Sequence, residues 1–484
     1  MKILNILKKQ KGKKVRTRVA PSPTGPLHVG TTRTAFFNYL FARQHKGDFV
    51  LRIEDTDTQR SDKRFEKDII DGLEWLDLKY DEFYRQSERK DIYEKYVDKI
   101  IKNGKAFWCY HTLDELNKEK TRQMQNREAP KHVCSHKNET PPDFENKKRV
   151  LRLRGVDKKI KFNDLIRGSI EYNGSLFGDI VIARDEKTPL YNLAVVIDDH
   201  EMEISHIIRG EDHIPNTPKQ ILIQEALGIK RPLYAHIPLI LGTDRSKLSK
   251  RHGASSVNEY KKNGYLANAF RNFMVLLGWN PGDNKEFFNE EELLKEFSLK
   301  NVQKGGAVFN IEKLDWFNKE YIKNTPLDEL SKELLSFIPE EWEGKIKENN
   351  EYWEKIIKLE KPRLIKLSEI KERIEFFFDK PNPTKSLLVW KKENMDKTVQ
   401  HLDTIANLLS NLDSGSFTQE KIKETIWEYT EENGRGNVLW PFRVALTGLS
   451  KSPDPFSVAE ILGKEECLKR VTYAKNMIYG NPSY

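Results

Sequence analysis

Two segments of the sequence combine residue types that could bind and transfer a phosphate group. In PLHVGT (residues 26–31), His28 and Gly30 precede a helical pattern, and the amide N–H groups and dipole of a helix N-terminus attract anions. Gly30 would permit close approach, and His28 could donate to a phosphate oxygen. In DRSKLSKRHG (residues 244–253), Lys247 and Lys250 could neutralise a transferring phosphate and its pyrophosphate leaving group. A turn histidine and a solvated basic loop are the ordinary alternatives, so the prediction rests on the two segments occurring together.

A third pattern predicts a metal site. Cys109 with His111, and Cys134 with His136, form two C-x-H pairs whose ligand types suit one tetrahedral Zn²⁺. Two of the three cysteines of the chain lie in this pattern. We expect one structural zinc per chain, and two unconnected Cys/His dipeptides are the alternative.

The elements that must position these residues follow an α/β pattern. From residue 16 to 55 the order is a short extended run, the turn PSPTG, a helical stretch after Gly30 and an alternating strand around Phe49, Leu51 and Ile53. This order predicts a βαβ unit in one parallel sheet. Further strands are expected in three segments, with a helix starting near Thr217: GDIVIAR (178–184), ISHIIRG (204–210) and HIPLIL (236–241).

The last third of the chain has no strand signals. A helix start is expected at residues 325–328, where Thr325 would be the cap, and four residues form an apolar helical stripe: Val399, Leu402, Ile405 and Leu409. We therefore predict an all-helical region after residue 325.

Composition excludes some classes of protein. A chain of 484 residues is too long for one hydrophobic core, and its longest apolar runs fall far short of the ~20 residues that cross a bilayer. The net charge is +9, but six lysines fall within the first 14 residues, so bulk charge says little about nucleic-acid binding. Three cysteines cannot build a disulfide framework, and we expect a reducing, cytoplasmic location without a membrane span.

Six motifs in chain order resemble those of bacterial-type glutamyl-tRNA synthetases, a family of class I aminoacyl-tRNA synthetases: RVAPSPTGPLHVGT, LRIEDTD, YRQSER, LYNLAVVIDDH, IRGEDH and DRSKLSKRHG. The resemblance runs from about Arg16 to the C-terminus. Leu248 stands where many relatives have methionine, a substitution of similar volume. Many relatives also carry C-x-C where this chain has Cys109 and His111.

The resemblance implies ATP- and Mg²⁺-dependent activation of L-glutamate to glutamyl-adenylate and its transfer to the 3′ end of tRNA(Glu). It assigns catalysis to His28, Lys247 and Lys250. The implied ATP-binding residues are His28, Gly30, Thr31, Glu211, Lys247, Leu248, Ser249 and Lys250. The implied glutamate-binding residues are Arg18, Ser22, Glu54, Tyr191 and Arg209. Arginine suits the substrate's side-chain carboxylate because its planar fork matches that group and stays charged, whereas an internal Arg18–Glu54 salt bridge is the structural alternative.

With this resemblance, we predict a Rossmann-like α/β catalytic domain with an α+β insertion, followed by an all-α anticodon-binding region. The segments are a disordered basic tail (1–15), the first half of the catalytic domain (16–95), the insertion with the metal pattern (96–188), the second half (189–242), the KLSK loop with a stem-contact region (243–324), and the helical region (325–484). A monomer is the family expectation.

Other interpretations lack support in the sequence. A catalytically inactive RNA-binding relative would be expected to lose His28 or the KLSK lysines, which are intact. An ATP-using ligase without an RNA partner would not need the helical region, and glutaminyl-tRNA synthetases carry C-terminal β-barrels. Charging of tRNA(Gln) stays open.

The resemblance places Arg363, in LEKPRLIKL, at the third anticodon base. Several N–H donors on one side chain can bond the O2 and N3 acceptors of cytosine, whereas they meet donors on guanine. Arginine here therefore predicts an enzyme that separates tRNA(Glu) from tRNA(Gln). The alternative is an ion pair between Arg363 and Glu360 on a solvated helix start.

We expect Lys250→Ala to lower kcat for glutamylation about 10²-fold or more with little change in tRNA affinity, because the lysine charge would act mainly in the transition state. Steady-state aminoacylation kinetics and a tRNA-binding assay measure the two quantities. Wild-type turnover of the variant would remove Lys250 from the catalytic machinery.

Overall fold

The structure is a computed structural model that describes residues 14–57, 59–138, 148–249 and 256–480. The described residues divide into two units, of which the first runs to Lys261 and includes Ala267–Leu314, and the second comprises Lys262–Leu266 and the chain from Asp315. Residues 1–13 of the predicted basic tail lie outside the described residues, and so does Lys250.

The first unit holds every strand of the described residues. These strands are β1 (Arg16–Val19), β2 (Asp48–Ile53), β3 (Glu82–Arg85), β4 (Ala106–Cys109), β5 (Val150–Leu153), β6 (Lys159–Asp164), β7 (Gly168–Asn173), β8 (Ile180–Ala183), β9 (His206–Gly210), β10 (Leu233–Ile237), β11 (Ile240–Leu241) and β12 (Ala307–Val308).

The α-helices follow in chain order. Those that begin before residue 315 are α1 (Val29–Gln44), α2 (Lys63–Trp75), α3 (Lys90–Lys102), α4 (Leu113–Gln125), α5 (Tyr191–Glu201), α6 (Thr217–Leu227), α7 (Val257–Lys262), α8 (Ala267–Leu276), α9 (Glu290–Glu296) and α10 (Ile311–Asn324). The later ones are α11 (Leu327–Leu335), α12 (Glu340–Glu348), α13 (Asn350–Glu360), α14 (Ile370–Phe378), α15 (Lys385–Leu388), α16 (Met395–Ser410), α17 (Gln419–Asn433), α18 (Arg435–Thr447) and α19 (Pro455–Tyr479).

Parallel strands form the framework of the first unit. β1, β2 and β3 pair in parallel in that order, and β9 pairs in parallel with β10. Ser205 N, just before β9, donates to Arg16 O of β1 (3.0 Å), so β9 lies beside β1. The strand order therefore reverses between β1 and β9, and the crevice at the carboxyl ends of strands at such a reversal is where α/β proteins bind ligands. The predicted α/β fold is confirmed.

Two local predictions differ from the structure. HIPLIL is not one strand: β10 ends at Ile237, because Pro238 has no N–H for the ladder, and β11 then pairs with β12. Thr325 does not cap the helix that starts at Leu327; its hydroxyl donates to Tyr321 O (2.8 Å) at the end of α10.

The insertion shares its core with the rest of the first unit. β4, β5 and β8 form an antiparallel sheet, and the β6–β7 hairpin joins β10. Leu151, Leu153 and Phe162 of these strands are buried in one cluster with Leu193 and Ile197 of α5. The polar character of the insertion sequence hid this core, which its strands supply from alternate positions such as those of β6.

The second unit is helical throughout its described residues after 325, as predicted. The predicted stripe lies on α16, with Val399, Leu402, Ile405 and Leu409 all buried in one core. In the described part of the chain no helix combines the length and the apolar character that crossing a membrane requires.

Candidate functional site

His28 ends the loop after β1 and caps α1. Its backbone is extended (φ −103°, ψ 159°), and its Nδ1 accepts the amide N–H groups of Gly30 (3.0 Å) and Thr31 (3.4 Å). A Cβ at Gly30 would lie 2.9 Å from the ring, so a glycine lets the imidazole fold back over the helix end. The two amides are thus engaged by His28, whereas the sequence had suggested that they face a phosphate. With Nδ1 accepting, the ring carries its proton on Nε2, which lies 3.1 Å from Thr31 Oγ1 and keeps one N–H to donate.

The KLSK segment begins in a tight turn. Leu248 N donates to Ile240 O (3.0 Å), which closes the turn and presents Lys247 at its end. Lys247 is exposed, and its Nζ lies 3.3 Å from Asp212 Oδ2. Partial desolvation and then the positive charge of Lys247 lower the pKa of His28 from its ordinary value, so the imidazole is neutral at pH 7.

The chain returns to His28 beyond the KLSK segment. Residues 250–255, which include Lys250, lie outside the described residues. Ser256 then forms an isolated antiparallel bridge with His28. Because Lys247 on one side and Ser256 on the other both lie near His28, the structure brings the HVGT and KLSK segments together.

Four charged side chains form a buried network near the carboxyl ends of β1 and β2. Arg18 Nε donates to Asp199 Oδ1 (3.1 Å), and Arg52 Nη1 donates to the same oxygen (2.8 Å). Arg52 Nη2 donates to Glu54 Oε1 (3.0 Å). Among the ion pairs of the described residues, Arg18 therefore has Asp199 as its partner and Glu54 has Arg52, so the alternative of an Arg18–Glu54 bridge is not what forms.

The network compensates its own charges. Burial opposes ionisation of Asp199, but Arg18 and Arg52 outweigh it and lower the pKa of Asp199. Burial raises the pKa of Glu54, which Arg52 only partly offsets. Arg52 and Asp199 are not among the residues predicted from the sequence; the available signal was the pair of acids, Asp198 and Asp199, that follows the apolar run LAVVI.

Arg209, near the end of β9, is buried and is held by three side chains. Its Nη2 donates to Thr217 Oγ1 (2.9 Å) and Gln220 Oε1 (2.8 Å), and its Nε donates to His236 Nε2 (3.2 Å). Its Nη1 is buried and has no hydrogen-bond partner among the described residues. A buried N–H without a partner is costly, and a substrate carboxylate is a group that would satisfy it.

Tyr191 starts α5 next to these charges. Its hydroxyl lies 3.0 Å from His213 Nδ1. Burial is the main cause that raises the pKa of Tyr191, Glu54 adds to it, and Arg209 and Arg18 oppose it. The phenol therefore stays protonated at pH 7, and the structure brings Arg18, Glu54, Tyr191 and Arg209 into one electrostatic neighbourhood.

Two other predicted residues lie at the edges of this neighbourhood. Glu211 follows β9, accepts from Leu239 N (2.8 Å) and pairs with Arg167 (2.5 Å). Ser22 is exposed in the PSPTG turn. Glu211 is thus held from two sides, which fixes the chain that leads into the Asp212 contact with Lys247.

A compact cluster of sulfur and imidazole groups lies in the insertion. Cys109, His111, His132 and Cys134 each offer one ligand atom, and these atoms all lie within 4.8 Å of one another. The Cys109 Sγ–His111 Nδ1, Cys109 Sγ–His132 Nε2 and Cys134 Sγ–His111 Nδ1 distances are 3.5, 3.6 and 3.6 Å. Tetrahedral zinc with bonds of about 2.3 Å to sulfur and about 2.0–2.1 Å to nitrogen separates its ligands by roughly 3.5 Å, so the residues fit this ion.

The fourth member of the cluster differs from the sequence prediction. His132 Nε2 faces Cys109, while His136 stacks on the His111 ring with centroids 4.6 Å apart and is not in the group of four. His132 was not predicted, because the repeated C-x-H spacing favoured His136; the signal for it was the further pair His132-x-Cys134.

Several contacts prepare this cluster for a cation. Glu119 Oε2 accepts from His132 Nδ1 (2.5 Å), which directs Nε2 into the group. Asp179 Oδ2 accepts from Cys134 N (2.8 Å). Burial opposes ionisation of Cys109, but its hydrogen bonds with His132 and then His111 outweigh it and lower the pKa of the thiol to about 5. Burial raises the pKa of the Cys134 thiol to about 12, which the backbone N–H of His136 only partly offsets. The thiolate is the form that binds zinc, so Cys109 is ionised at neutral pH and Cys134 would lose its proton on binding the ion.

In the second unit, Arg363 ends a short 3₁₀ turn after α13. Its Nη1 donates to Glu360 Oε1 (2.7 Å), and its side chain is 32% exposed, whereas Glu360 is fully buried. Burial raises the pKa of Glu360, and Arg363 and then Arg373 oppose this shift. The ion pair that was the alternative to anticodon reading thus forms, but with a buried acid at the end of a helix and not on a solvated helix start. The side chain is thus paired but not fully buried.

Two protein families match the chain. Residues 14–316 match the family "tRNA synthetases class I (E and Q), catalytic domain", and residues 328–475 match "Anticodon binding domain". The first match covers more than half of the chain and includes the parallel sheet, His28 and the KLSK segment. The fold and the site therefore define a class I aminoacyl-tRNA synthetase.

Individual relatives narrow this class. The chain is 42% identical to glutamate–tRNA ligase 1 of Caldicellulosiruptor saccharolyticus, over 95% of this chain and 99% of that protein. It is 42% identical to glutamate–tRNA ligase of Aquifex aeolicus, over 95% and 98% of the two chains. A crystal structure of a glutamate tRNA ligase from Elizabethkingia meningosepticum in complex with its amino acid is similar with a TM-score of 0.83 at 35% identity, covering 96% of this chain and 100% of that one. The chain belongs to the glutamate–tRNA ligase family.

Proposed function

We propose that the protein activates L-glutamate with ATP to glutamyl-adenylate and transfers the glutamyl group to the 3′ end of tRNA(Glu), releasing AMP and pyrophosphate. The observation that carries this proposal is the neighbourhood of two subsites. Asp212 contacts Lys247 of the KLSK segment, and the adjacent His213 contacts Tyr191, which shares the surroundings of Arg18 and Arg209. Membership in the glutamate–tRNA ligase family supports the same reaction.

Catalysis in this proposal comes from position and charge. The α-carboxylate of glutamate attacks the α-phosphate of ATP, supplied as its Mg²⁺ complex, and pyrophosphate leaves in line. His28 donates its Nε2 proton to a phosphate oxygen, and Lys247 and Lys250 neutralise the charge that develops in the transition state. Gly30, Thr31, Glu211, Leu248 and Ser249 complete the ATP subsite. No side chain serves as a nucleophile.

The substrate's two ends meet opposite charges. Arg18 and Arg209, with the Tyr191 hydroxyl, bind the side-chain carboxylate, and Glu54 with Ser22 receives the α-amino group. Asp199 offsets the charge of Arg18, and Arg52 offsets that of Glu54. The unpartnered Nη1 of Arg209 is the donor that glutamate would satisfy.

Arg209→Gln is expected to raise KM for glutamate at least about 30-fold, because it removes charge-assisted bonds to the substrate carboxylate. The measurement is charging of tRNA(Glu) with radiolabelled glutamate, and KM for ATP in the same assay is the internal control. The wild-type protein should charge tRNA(Glu) with glutamate and should not use glutamine. An unchanged KM for glutamate would show that the pocket lies elsewhere.

We propose that the cluster in the insertion binds one structural Zn²⁺ through Cys109, His111, His132 and Cys134, with His132 in place of the predicted His136. The interatomic distances and the convergence of four ligand atoms support zinc binding. When bound, the ion would hold together the chain after β4 and the segment before β5. The ligands are buried or half-buried, which is typical of a structural site that has no room for a substrate.

Elemental analysis of the purified protein should find about one zinc per chain, lost in Cys134→Ala and strongly reduced in His132→Gln. His136→Gln is the matched control, since it changes a nearby histidine that stacks on the cluster, and should keep its zinc. If His136→Gln lost its zinc and His132→Gln kept it, the fourth zinc ligand would be His136 and not His132. Rapid titration of Cys109 and Cys134 as free thiols in metal-replete protein would remove the site.

We propose that Arg363 reads the third anticodon base. The Glu360 ion pair supports this role, because a buried carboxylate holds Nη1 of a side chain that is still 32% exposed and so limits the orientations of the guanidinium. The cytosine that ends the glutamate anticodon presents acceptors to the guanidinium N–H groups, and the guanine of the glutamine anticodon presents donors. The enzyme would then separate the two tRNAs.

Arg363→Gln should reduce the discrimination between tRNA(Glu) and tRNA(Gln), measured as the ratio of their kcat/KM values and expressed as a free energy, by about 1–3 kcal/mol. We expect most of this change to come from lower activity on tRNA(Glu). Arg373→Gln is the matched control, because Arg373 faces the same Glu360 (3.8 Å) from α14. Equal small losses of kcat/KM on both tRNAs would show that Arg363 serves only in the ion pair with Glu360. Efficient charging of tRNA(Gln) by the wild-type enzyme would show that the enzyme does not discriminate between the two tRNAs.

We also propose that the enzyme works as a cytoplasmic monomer. No disulfide bond joins the cysteines of the described chain, which are Cys109, Cys134 and Cys467, and this suits a reducing compartment. Size-exclusion chromatography with light scattering measures the oligomeric state directly.

A further inference from the structure

A buried pair, Asp164 and His236, lies behind Arg209. His236 is on β10, beside β9 in register with Arg209, and Asp164 ends β6 of the insertion. Both side chains are fully buried, and His236 Nδ1 lies 2.6 Å from Asp164 Oδ2. Neither residue belongs to a motif that carried the resemblance, and beyond the contact of His236 with Arg209 neither has been given a role so far.

The neighbours of His236 determine which nitrogen carries its proton. Arg209 Nε can only donate, so His236 Nε2, 3.2 Å away, must be its acceptor. The proton is then on Nδ1, where Asp164 accepts it. Thr217 Oγ1 also lies 3.2 Å from Nε2 and accepts from Arg209 Nη2. Two edges of the guanidinium are thus held, and the buried Nη1 is left without a partner in the described chain.

Asp164 is itself fixed by the backbone. Its carboxylate accepts from Ile166 N (2.9 Å), Arg167 N (2.9 Å) and His236 N (3.1 Å). The acid therefore cannot rotate away, and it holds the imidazole from both the ring and the main chain. The chain of contacts runs from the turn after β6 through His236 to the Nε of Arg209.

We propose that Asp164 and His236 are positioning residues that set the orientation of Arg209 and thereby its affinity for the substrate carboxylate. This inference rests on the proposed role of Arg209 in binding glutamate. A guanidinium held only at Nη2 can roll about its stem, whereas one held also at Nε presents Nη1 in a single direction. The insertion would thus contribute to amino-acid recognition without touching the amino acid.

The protonation state of His236 agrees with this role. Burial lowers the pKa of His236 from its ordinary value, the bond to Asp164 opposes this, and the charge of Arg209 adds to the lowering. The imidazole is therefore neutral at pH 7 and keeps Nε2 as an acceptor. A protonated ring would turn a second N–H toward the Nε–H of Arg209.

The alternative is a purely structural link between β6 and β10, which pair at only one position, Asp164 with Tyr234. If the pair is only a structural link, its variants should be less stable, and their kinetic parameters should either all change by similar factors or not change at all. A positioning role predicts a selective change in KM for glutamate. Binding of the substrate carboxylate would be weakened equally in the ground state and in the transition state, and such a loss raises KM and leaves kcat unchanged. The two can be separated by comparing variants that differ only in the acceptor.

The test is steady-state aminoacylation of tRNA(Glu) by the full-length enzyme with His236→Phe and His236→Gln. His236→Phe keeps an aromatic ring, somewhat larger than imidazole, but removes the acceptor. We expect KM for glutamate to rise about 10-fold or more, with kcat and the KM for ATP and tRNA within about 3-fold of wild type. His236→Gln can place its amide oxygen near the former Nε2 and should recover most of the affinity. Asp164→Asn should raise KM for glutamate in the same direction, because an amide no longer accepts all of the surrounding donors.

His206→Phe is the matched control, since His206 is also buried, lies on the adjacent strand β9 and bonds to Ser205 and not to Arg209. It should leave KM for glutamate unchanged. If Arg209→Gln raises this KM but His236→Phe and Asp164→Asn do not, the positioning role is overturned and the pocket stands. An unchanged KM in Arg209→Gln would overturn the pocket itself. If His236→Phe does not fold, the test uses Asp164→Asn and His236→Gln. The inference is overturned if Asp164→Asn has the wild-type KM for glutamate, or if both variants lose activity equally in all kinetic parameters.

Discussion

The buried carboxylate of Asp199, shared by the guanidinium groups of Arg18 and Arg52, is the interaction on which the catalytic half of the molecule depends. Taking such charges out of water costs several kcal/mol per ion, and close pairing with good geometry is what offsets that cost. Removing the carboxylate would take from Arg18 its ion-pair partner and leave Arg52 with Glu54, and is expected to lower the free energy of unfolding by about 3–5 kcal/mol. The side chains of Arg18 on β1 and Arg52 on β2 are therefore held in place only when α5, which carries Asp199, packs against these strands.

The adjacent acid extends this dependence. Asp198 accepts from Gln86 (2.8 Å), Arg89 (2.7 Å) and Tyr93 (3.0 Å), which lie in and just before α3. The motifs RVAPSPTG, LRIEDTD and YRQSER, far apart in sequence, thus converge on the two aspartates of LYNLAVVIDDH. Each motif supplies at least one partner to a charge network that is costly when incomplete.

The sequence predicted what depends on local pattern and missed what depends on long-range partners. The helix start at His28, the strand around Phe49 to Ile53 and the helical stripe on α16 follow from side-chain periodicity and turn residues, which the chain carries locally. The break at Pro238, the use of His132 and the shared core of the insertion depend on which distant segment lies alongside. Spacing offered both His132 and His136 beside Cys134, and it is the contact of His132 with Glu119, a partner from a helix of the insertion, that turns His132 toward the cluster.

The charge balance of the pocket explains in physical terms why the substrate should be an acid. Arg18 is paired with Asp199 and Glu54 with Arg52, so these groups are compensated before any substrate arrives. Arg209 is different: its partners Thr217, Gln220 and His236 are neutral, and no acid forms an ion pair with it in the described part of the chain. Burial accordingly lowers its pKa. In the proposed function the side-chain carboxylate of glutamate supplies the missing counter-charge. Glutamine would bring an amide with its own N–H donors and leave a buried guanidinium uncompensated, and sites of this kind reject the uncharged analogue strongly because their buried polar groups are then unpaired.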